Sequence, residues 1–91
     1  MSEYATISVQ GNRSKAFGLV TRDSWYVIGP EEPSGRREII SLGPLGHPQR
    51  KSLGFYAAQD AKVAVGAPVN LLGVDEKTLA LSPPTKIITH M

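Results

Sequence analysis

AKVAVGAPVNLLGVDEKTLALSPPTKII, residues 61–88, holds the clearest strand pattern in this chain. Within it, residues 78–82 alternate leucines with smaller side chains, which is typical of a strand with one buried face. The polar residues 75–77 separate this run from an earlier apolar run, VNLL. Because the polar break has the length of a hairpin turn, the pattern predicts a β-hairpin over about residues 69–82.

Prolines and glycines delimit the strands around this hairpin. Pro83 and Pro84 end its second strand, because proline has no N–H to donate to a neighbouring strand. Residues 85–89 predict one more strand after the prolines, and residues 63–65 predict another before the break at Gly66. No run with helical periodicity competes with these strands.

Five further runs of alternating or β-forming residues precede this stretch. They are Tyr4–Val9, Ala16–Thr21, Trp25–Ile28, Glu38–Leu42 and Leu53–Ala58. A short polar break between the second and third runs predicts a tight hairpin from Phe17 to Ile28. Two segments rich in proline, glycine and charge, Gly29–Arg37 and Leu45–Ser52, are predicted to be loops.

The chain of 91 residues is predicted to form a single β-rich domain, residues 1–91. Its nine glycines and seven prolines suit an all-β fold of about seven to nine short antiparallel strands joined by turns. Either a small barrel or a compact two-sheet sandwich would bury one face of each strand. With mostly local connections, we favour a barrel-like meander, and a jelly-roll or immunoglobulin-like sandwich is the alternative.

The composition and the apolar runs of the chain also limit where it is expected to be located. It contains no cysteine, which excludes disulfide bonds and thiol chemistry. Residues 1–10 lack the basic start and apolar core of a secretory signal peptide. No apolar run approaches the roughly 18 residues that a membrane helix needs. We therefore expect a location in the cytoplasm or within a virion-like assembly, without membrane contact.

Residues suited to catalysis or metal binding are few. The only histidines are His47 and His90, and neither Ser24 nor Ser34 lies in a nucleophile elbow. Acidic residues occur singly or as adjacent pairs, and adjacent side chains on a strand point to opposite faces. We therefore expect no enzymatic activity, no cofactor, no metal and no small-molecule substrate.

The charge pattern and the aromatic residues favour a structural or interaction module. Residues 13–51 hold seven basic and four acidic side chains, a local charge of +3 in a chain of net charge +2. Such a module would bind a protein partner or a second copy of itself, for example as a phage-type decoration or connector subunit. Aromatic and arginine side chains dominate protein interfaces. The predicted partner-binding residues are Trp25, Tyr26, Arg36, Arg37, Arg50, Lys51 and Tyr56.

The alternative is a small β-barrel that binds nucleic acid. Such barrels stack bases on aromatic side chains while basic residues follow the phosphates. The same half of the chain carries three basic loop segments together with most of the aromatic residues. The predicted nucleic-acid-binding residues are Arg13, Lys15, Arg36, Arg37, Arg50 and Lys51.

Overall fold

The computed structural model describes residues 2–44 and 49–89, which form ten strands and two single turns of 3-10 helix. Every strand pairing is antiparallel, and no helix in these residues is long and apolar enough to cross a membrane. The predicted all-β fold of short antiparallel strands is confirmed. The 3-10 turns are η1 (Gln10–Asn12) and η2 (Val74–Glu76). The strands are β1 (Ser2–Tyr4), β2 (Thr6–Ser8), β3 (Phe17–Val20), β4 (Ser24–Glu31), β5 (Arg37–Pro44), β6 (Lys51–Ala58), β7 (Lys62–Ala64), β8 (Val69–Leu72), β9 (Thr78–Leu81) and β10 (Lys86–Thr89).

Eight strands form one curled, barrel-like sheet in the order β1-β10-β3-β4-β5-β6-β8-β9. The remaining two, β2 and β7, pair with each other in a small separate sheet. Ile7 of β2 and Val63 of β7 are buried in the same apolar cluster as Leu19, Ile39 and Ile87 of the large sheet. The small sheet therefore packs against the inner face of the large one, and a single core lies between them.

Both predicted hairpins are present. Val69 of β8 pairs with Leu81 of β9, and Phe17 of β3 pairs with Ile28 of β4. These four side chains are buried. Val69 and Leu81 have exposed neighbours on their strands, whereas Phe17 and Ile28 each adjoin a buried glycine. The hairpins could be predicted because each depends only on local alternation and a short polar turn.

The prediction of one continuous strand over Tyr4–Val9 is wrong. The chain changes partner at Ala5, so that β1 pairs with β10 while β2 pairs with β7. Ile7 and Val9 are buried as the alternation predicts, whereas Ala5 is exposed. A segment that passes from one sheet to another cannot keep the same face against the same core, and this explains the difference.

The prediction of a loop over the whole of Gly29–Arg37 is also wrong. Strand β4 continues through Pro30 to Glu31, and β5 begins at Arg37. The register between the two strands shifts between Ile28 and Glu31, so the proline lies in a bulge where its missing N–H disturbs little of the pairing.

Candidate interaction surface

Arg37 lies at the start of β5 with only 2% of its surface exposed. Its guanidinium donates hydrogen bonds to four main-chain carbonyl oxygens. Nη1 donates to Lys15 and Gly29, each at 3.1 Å. Nη2 donates to Val9 at 3.0 Å and to Asn12 at 2.9 Å. The side chain thus ties the turn that follows β2 to strand β4.

The Arg37 guanidinium lies in the protein interior, where it has a structural role. The Phe17 ring lies under it, with the guanidinium carbon 5.4 Å from the ring centre. Burial lowers the pKa of Arg37, and the nearby Glu31 carboxylate partly offsets this effect. Arginine nevertheless keeps its proton at neutral pH, so its four hydrogen bonds are charge-assisted. The prediction of Arg37 as a contact residue for protein or nucleic acid is therefore wrong.

The predicted aromatic anchors are divided between the interior and the surface. Tyr56 is 4% exposed and belongs to the core, so its prediction as a contact residue is also wrong. Tyr26 is half-buried against the core, and its hydroxyl accepts a hydrogen bond from Ser24 Oγ at 3.2 Å. Trp25 is half-buried and, as the neighbour of Tyr26 on β4, points to the outer side of the sheet.

One group of predicted basic residues lies around the β4–β5 hairpin. Arg13 and Lys15 are exposed in the turn after η1. The carbonyl oxygen of Arg13 accepts the Glu31 N–H at 2.7 Å, which joins this turn to the hairpin that carries Arg36. The Arg13 Nε also lies 3.6 Å from the Glu31 carboxylate. Part of the positive charge at this end of the sheet is therefore neutralised.

The second group of basic residues, Arg50 and Lys51, is exposed at the other end of the sheet. Lys51 pairs with Ser41, five residues along β6 from Tyr56, which corresponds to about 16 Å. Residues 45–48 of the predicted loop Leu45–Ser52, which include His47, lie outside the described residues, and so does His90. The structure thus separates the predicted basic residues into two groups.

Three large apolar side chains are exposed on β6, on β8 and in the 3-10 turn that follows β8. Phe55 is 45% exposed, Leu72 is 40% exposed and Val74 is 58% exposed. Phe55 precedes the buried Tyr56 on β6, and Leu72 follows the buried Leu71 on β8. Because successive side chains on a strand point to opposite faces, both exposed residues are directed away from the core.

The strand register pairs outer residues of β6 with residues of the neighbouring strands. Leu72 of β8 pairs with Ala57 of β6. Arg36 immediately precedes β5, whose first residue, Arg37, pairs with Tyr56. Unlike the buried Arg37, Arg36 is partly exposed.

Glu38 of β5 pairs with Phe55 of β6. Val74 lies in η2, two residues after Leu72 and beyond the end of β8. The Glu38 carboxylate accepts a hydrogen bond from Ser52 Oγ at 2.8 Å, which fixes its position. We call the following six residues the outer patch: Arg36, Ala57 and Leu72 with Glu38, Phe55 and Val74.

Of the six residues in the outer patch, only Arg36 is predicted from the sequence to be a binding residue. A signal for the others exists in the adjacent apolar pairs Phe55-Tyr56 and Leu71-Leu72. On a strand only one member of such a pair can face the core, so the other is exposed. The register of β6 with its neighbours determines which member that is.

A polar cleft of about 260 Å³ lies near Arg37. Its charged groups are Glu31, Arg37 and Asp60. Glu31 is paired with Arg13, and the Arg37 guanidinium is directed at main-chain carbonyls. Within residues 2–44 and 49–89, no group of three or more His, Asp or Glu side chains is placed to hold a metal ion. The outer patch is therefore a stronger candidate for a functional site than this cleft.

Comparison with known proteins gives no family for this chain. No family model matches it, and neither a curated protein nor a solved structure matches it. The functional interpretation therefore depends on the contacts and exposures of its own residues.

Proposed function

We propose that this chain is a non-enzymatic protein-interaction module that binds its partner through the outer patch. The observation that carries the proposal is the exposure of Phe55 and Leu72 on one face of the sheet, with the exposed Val74 two residues beyond Leu72. Single exposed apolar side chains are common on proteins, but a contiguous group of them marks an interaction surface. The pair of Ala57 with Leu72 places Leu72 diagonal to Phe55, within reach of its ring.

The chemistry of the outer patch suits a protein interface. Burying a large side chain such as Phe55 contributes roughly 1.5–3 kcal/mol when it is removed fully from water. Arginine and aromatic residues are enriched among the side chains that dominate binding energy, and the patch holds both Arg36 and Phe55. The charged residues Glu38, on β5, and Arg36, just before β5, lie beside the apolar residues, where they can form the polar rim of an interface.

The same surface supports a structural role in a larger assembly. A subunit of a phage-type decoration or connector layer would use a rigid sheet to present a fixed contact face. Side chains on paired strands are held more firmly than side chains on loops. Four of the six residues of the outer patch lie on such strands: Glu38 on β5, Phe55 and Ala57 on β6, and Leu72 on β8.

Nucleic-acid binding is the alternative proposal, and it has less support. Its basic residues form two groups, one around the β4–β5 hairpin and one at Arg50 and Lys51, and Arg37 is buried. Lys51 lies about 16 Å along β6 from Tyr56, the residue that pairs with Arg37. Near the first group, Glu31 pairs with Arg13, and Glu32 is exposed in the same hairpin. A groove that binds single-stranded nucleic acid needs positive charge that runs continuously along the nucleic-acid backbone.

Photo-crosslinking tests the proposed function directly. A benzophenone side chain introduced in place of Phe55 should give a discrete crosslinked product when cells of the source organism are irradiated. The same group in place of Lys62 should give none, because Lys62 is exposed on the small sheet, away from the outer patch. Equal crosslinking at both positions, or none at either, would overturn the proposal.

We expect Leu72→Ser to reduce the crosslinking yield at position 55 at least fivefold, because it removes apolar surface from the interface. The change should lower the free energy of unfolding by less than about 1 kcal/mol, since Leu72 is on the surface. Val65→Ser is the matched control, because Val65 is also 40% exposed but lies outside the patch. A crosslinking yield that falls equally in both variants would mean that the partner does not bind specifically through the outer patch.

A further inference from the structure

We propose that the free edge of β9 is a second interaction site, which binds an extended segment of another protein as an added strand. β9 is the last strand of the large sheet, and among residues 2–44 and 49–89 only β8 pairs with it. This site consists of main-chain atoms at the edge of the sheet, whereas the outer patch consists of side chains. The two sites can therefore be tested independently.

The direction of the main-chain groups along β9 follows from its hydrogen bonds with β8. The Gly73 N–H donates to the Lys77 carbonyl oxygen at 2.6 Å, one step beyond the last pair of the two strands. In an antiparallel pair, residues that exchange hydrogen bonds alternate with residues that do not. Leu79 therefore bonds to β8, whereas the N–H and C=O groups of Thr78 and Ala80 point away from it.

A contact on the far side of β8 agrees with this direction. The Asn70 carbonyl oxygen accepts the Gln59 N–H at 3.0 Å, so the main-chain groups of Asn70 are directed away from β9. Asn70 pairs with Ala80, and in such a pair both residues direct these groups away from each other. Within the described part of the chain, no residue forms a hydrogen bond with the N–H or C=O of Thr78 or Ala80. These groups are therefore open to a strand from outside.

β9 lacks the features that usually protect an edge strand. Charged side chains, prolines and bulges keep exposed strand edges from pairing with other chains. The sequence of β9, TLAL, contains no charged residue and no proline, and its register with β8 is unbroken. Thr78 and Ala80 are also exposed, so a second backbone can approach them. By contrast, β1 at the opposite edge of the sheet carries Glu3.

The edge defines the chemistry of its ligand. Thr78 and Ala80 present the same pair of groups at a spacing of about 6.8 Å, and an extended polypeptide backbone has the matching repeat. The ligand side chain next to Leu79 would lie on the inner face, where Leu79 is only partly buried against the core. An apolar side chain there would cover the rest of Leu79. The expected ligand is an extended, proline-free segment with a central apolar residue.

A linear segment fits this edge better than a second copy of β9. The strand is four residues long, η2 ends at Glu76 just before it, and Pro83 follows two residues after it. Two copies paired through β9 would share few hydrogen bonds before both chains turn away. A linear segment can continue past both ends of the strand.

Selection from a phage library of random short peptides on the immobilised chain supplies the probe. The most enriched peptide should slow amide hydrogen exchange at Thr78 and Ala80 at least tenfold at saturation, because both amides become bonded. Exchange at Leu79 should change little, since its N–H already bonds to β8. A peptide that protects neither Thr78 nor Ala80, or a selection without enrichment, would overturn the proposal.

Thr78→Pro tests the same contact through affinity. It removes one outward donor and no bond to β8, so peptide binding measured by fluorescence anisotropy should weaken at least tenfold. Proline is tolerated on edge strands, and Lys77, with φ −64° and ψ 131°, already has the conformation that precedes a proline. Thr78→Val is the matched control, because it keeps the N–H and nearly the same shape. Its affinity should stay within twofold of the wild type.

Ala80→Pro repeats the measurement at the second outward donor. Circular dichroism should show both proline variants folded, and the hydrogen-exchange result depends on neither of them. Binding of the peptide to both proline variants with wild-type affinity would show that β9 is not the site.

The outcomes also separate other occupants and the two sites. Protection of Thr78 and Ala80 when the chain alone is concentrated to about 1 mM would mean that the edge pairs with a second copy, and the proposal of another protein would be wrong. Failure at β9 leaves the crosslink at position 55 intact. Failure of the outer patch leaves the peptide-induced protection of Thr78 and Ala80 intact.

Discussion

Replacing Arg37 with methionine is expected to lower the free energy of unfolding by about 3–5 kcal/mol. The substitution keeps much of the apolar volume of the side chain but removes four charge-assisted hydrogen bonds. The buried hydrogen bonds from Arg37 to the carbonyl oxygens of Val9 and Gly29 would be lost, and the Val9 oxygen would keep only the longer bond from the Asn12 N–H, at 3.3 Å. Each buried acceptor left without a partner costs about 1–3 kcal/mol.

Urea unfolding followed by tryptophan fluorescence measures this loss, because the chain has one tryptophan. Arg37→Lys should also be strongly destabilising, since an ammonium group cannot serve four acceptors with the planar fork of a guanidinium. Arg36→Met is the matched control on the neighbouring residue, whose side chain is partly exposed. A loss of less than about 1 kcal/mol for Arg37→Met would contradict the structural role of this arginine.

The second largest effect is expected for Gly73→Ala, with a loss of about 1–3 kcal/mol. A Cβ atom at Gly73 would lie 2.9 and 3.0 Å from two ring carbons of Tyr56 and 3.4 Å from the carbonyl oxygen of Lys77. The backbone angle φ of Gly73 is −97°, which alanine adopts without strain. The loss would therefore come from overpacking against a buried ring.

A double-mutant cycle isolates this contact. In a Tyr56→Leu background the ring carbons are absent, so the additional loss caused by Gly73→Ala should shrink to less than half. Gly11→Ala is the control, because its new Cβ would meet only the side chain of Ser8, at 3.3 Å or more. An effect of Gly73→Ala that is unchanged in the Tyr56→Leu background would show that the ring is not the cause.

Local patterns in the sequence predict the hairpins but not the place where a strand changes sheet. The pairs Val69 with Leu81 and Phe17 with Ile28 depend on residues close in sequence. The break at Ala5 depends on the partners of β1 and β2, which lie on distant strands. Alternation within Tyr4–Val9 gives no sign of that break, because both halves are strands.

Arg37 shows why charge alone misassigns a residue. Alternation along β5 places Arg37 on the same face as the buried Ile39, so the pattern for burial was present in the sequence. Three of its four acceptors, however, are 22 to 28 residues away in the chain. Only the folded backbone brings those carbonyl oxygens together, and without them a buried arginine is unfavourable.

The outer patch could be predicted only in part, because the register between strands decides which residues are exposed. Because Phe55 and Tyr56 are adjacent on a strand, one of the two must be exposed. Both have a high propensity for strands, so propensity does not decide which one it is. The register between β5 and β6 shifts between Ile39 and Ile40, near Gly54, whose φ is +107°. This bulge, which glycine tolerates, sets the face on which Phe55 emerges.

The most direct test of the outer patch as the interaction surface is a concentration series of ¹H–¹⁵N correlation spectra. The chain should be recorded from about 20 µM to 1 mM, first alone and then with a random oligonucleotide. We expect amide shifts confined to residues 36–38, 55–57 and 72–74 as the concentration rises, with no further change on adding the oligonucleotide. Spectra that do not change with concentration, together with oligonucleotide-induced shifts around Arg13, Lys15 and Arg50, would contradict the outer patch as the interaction surface.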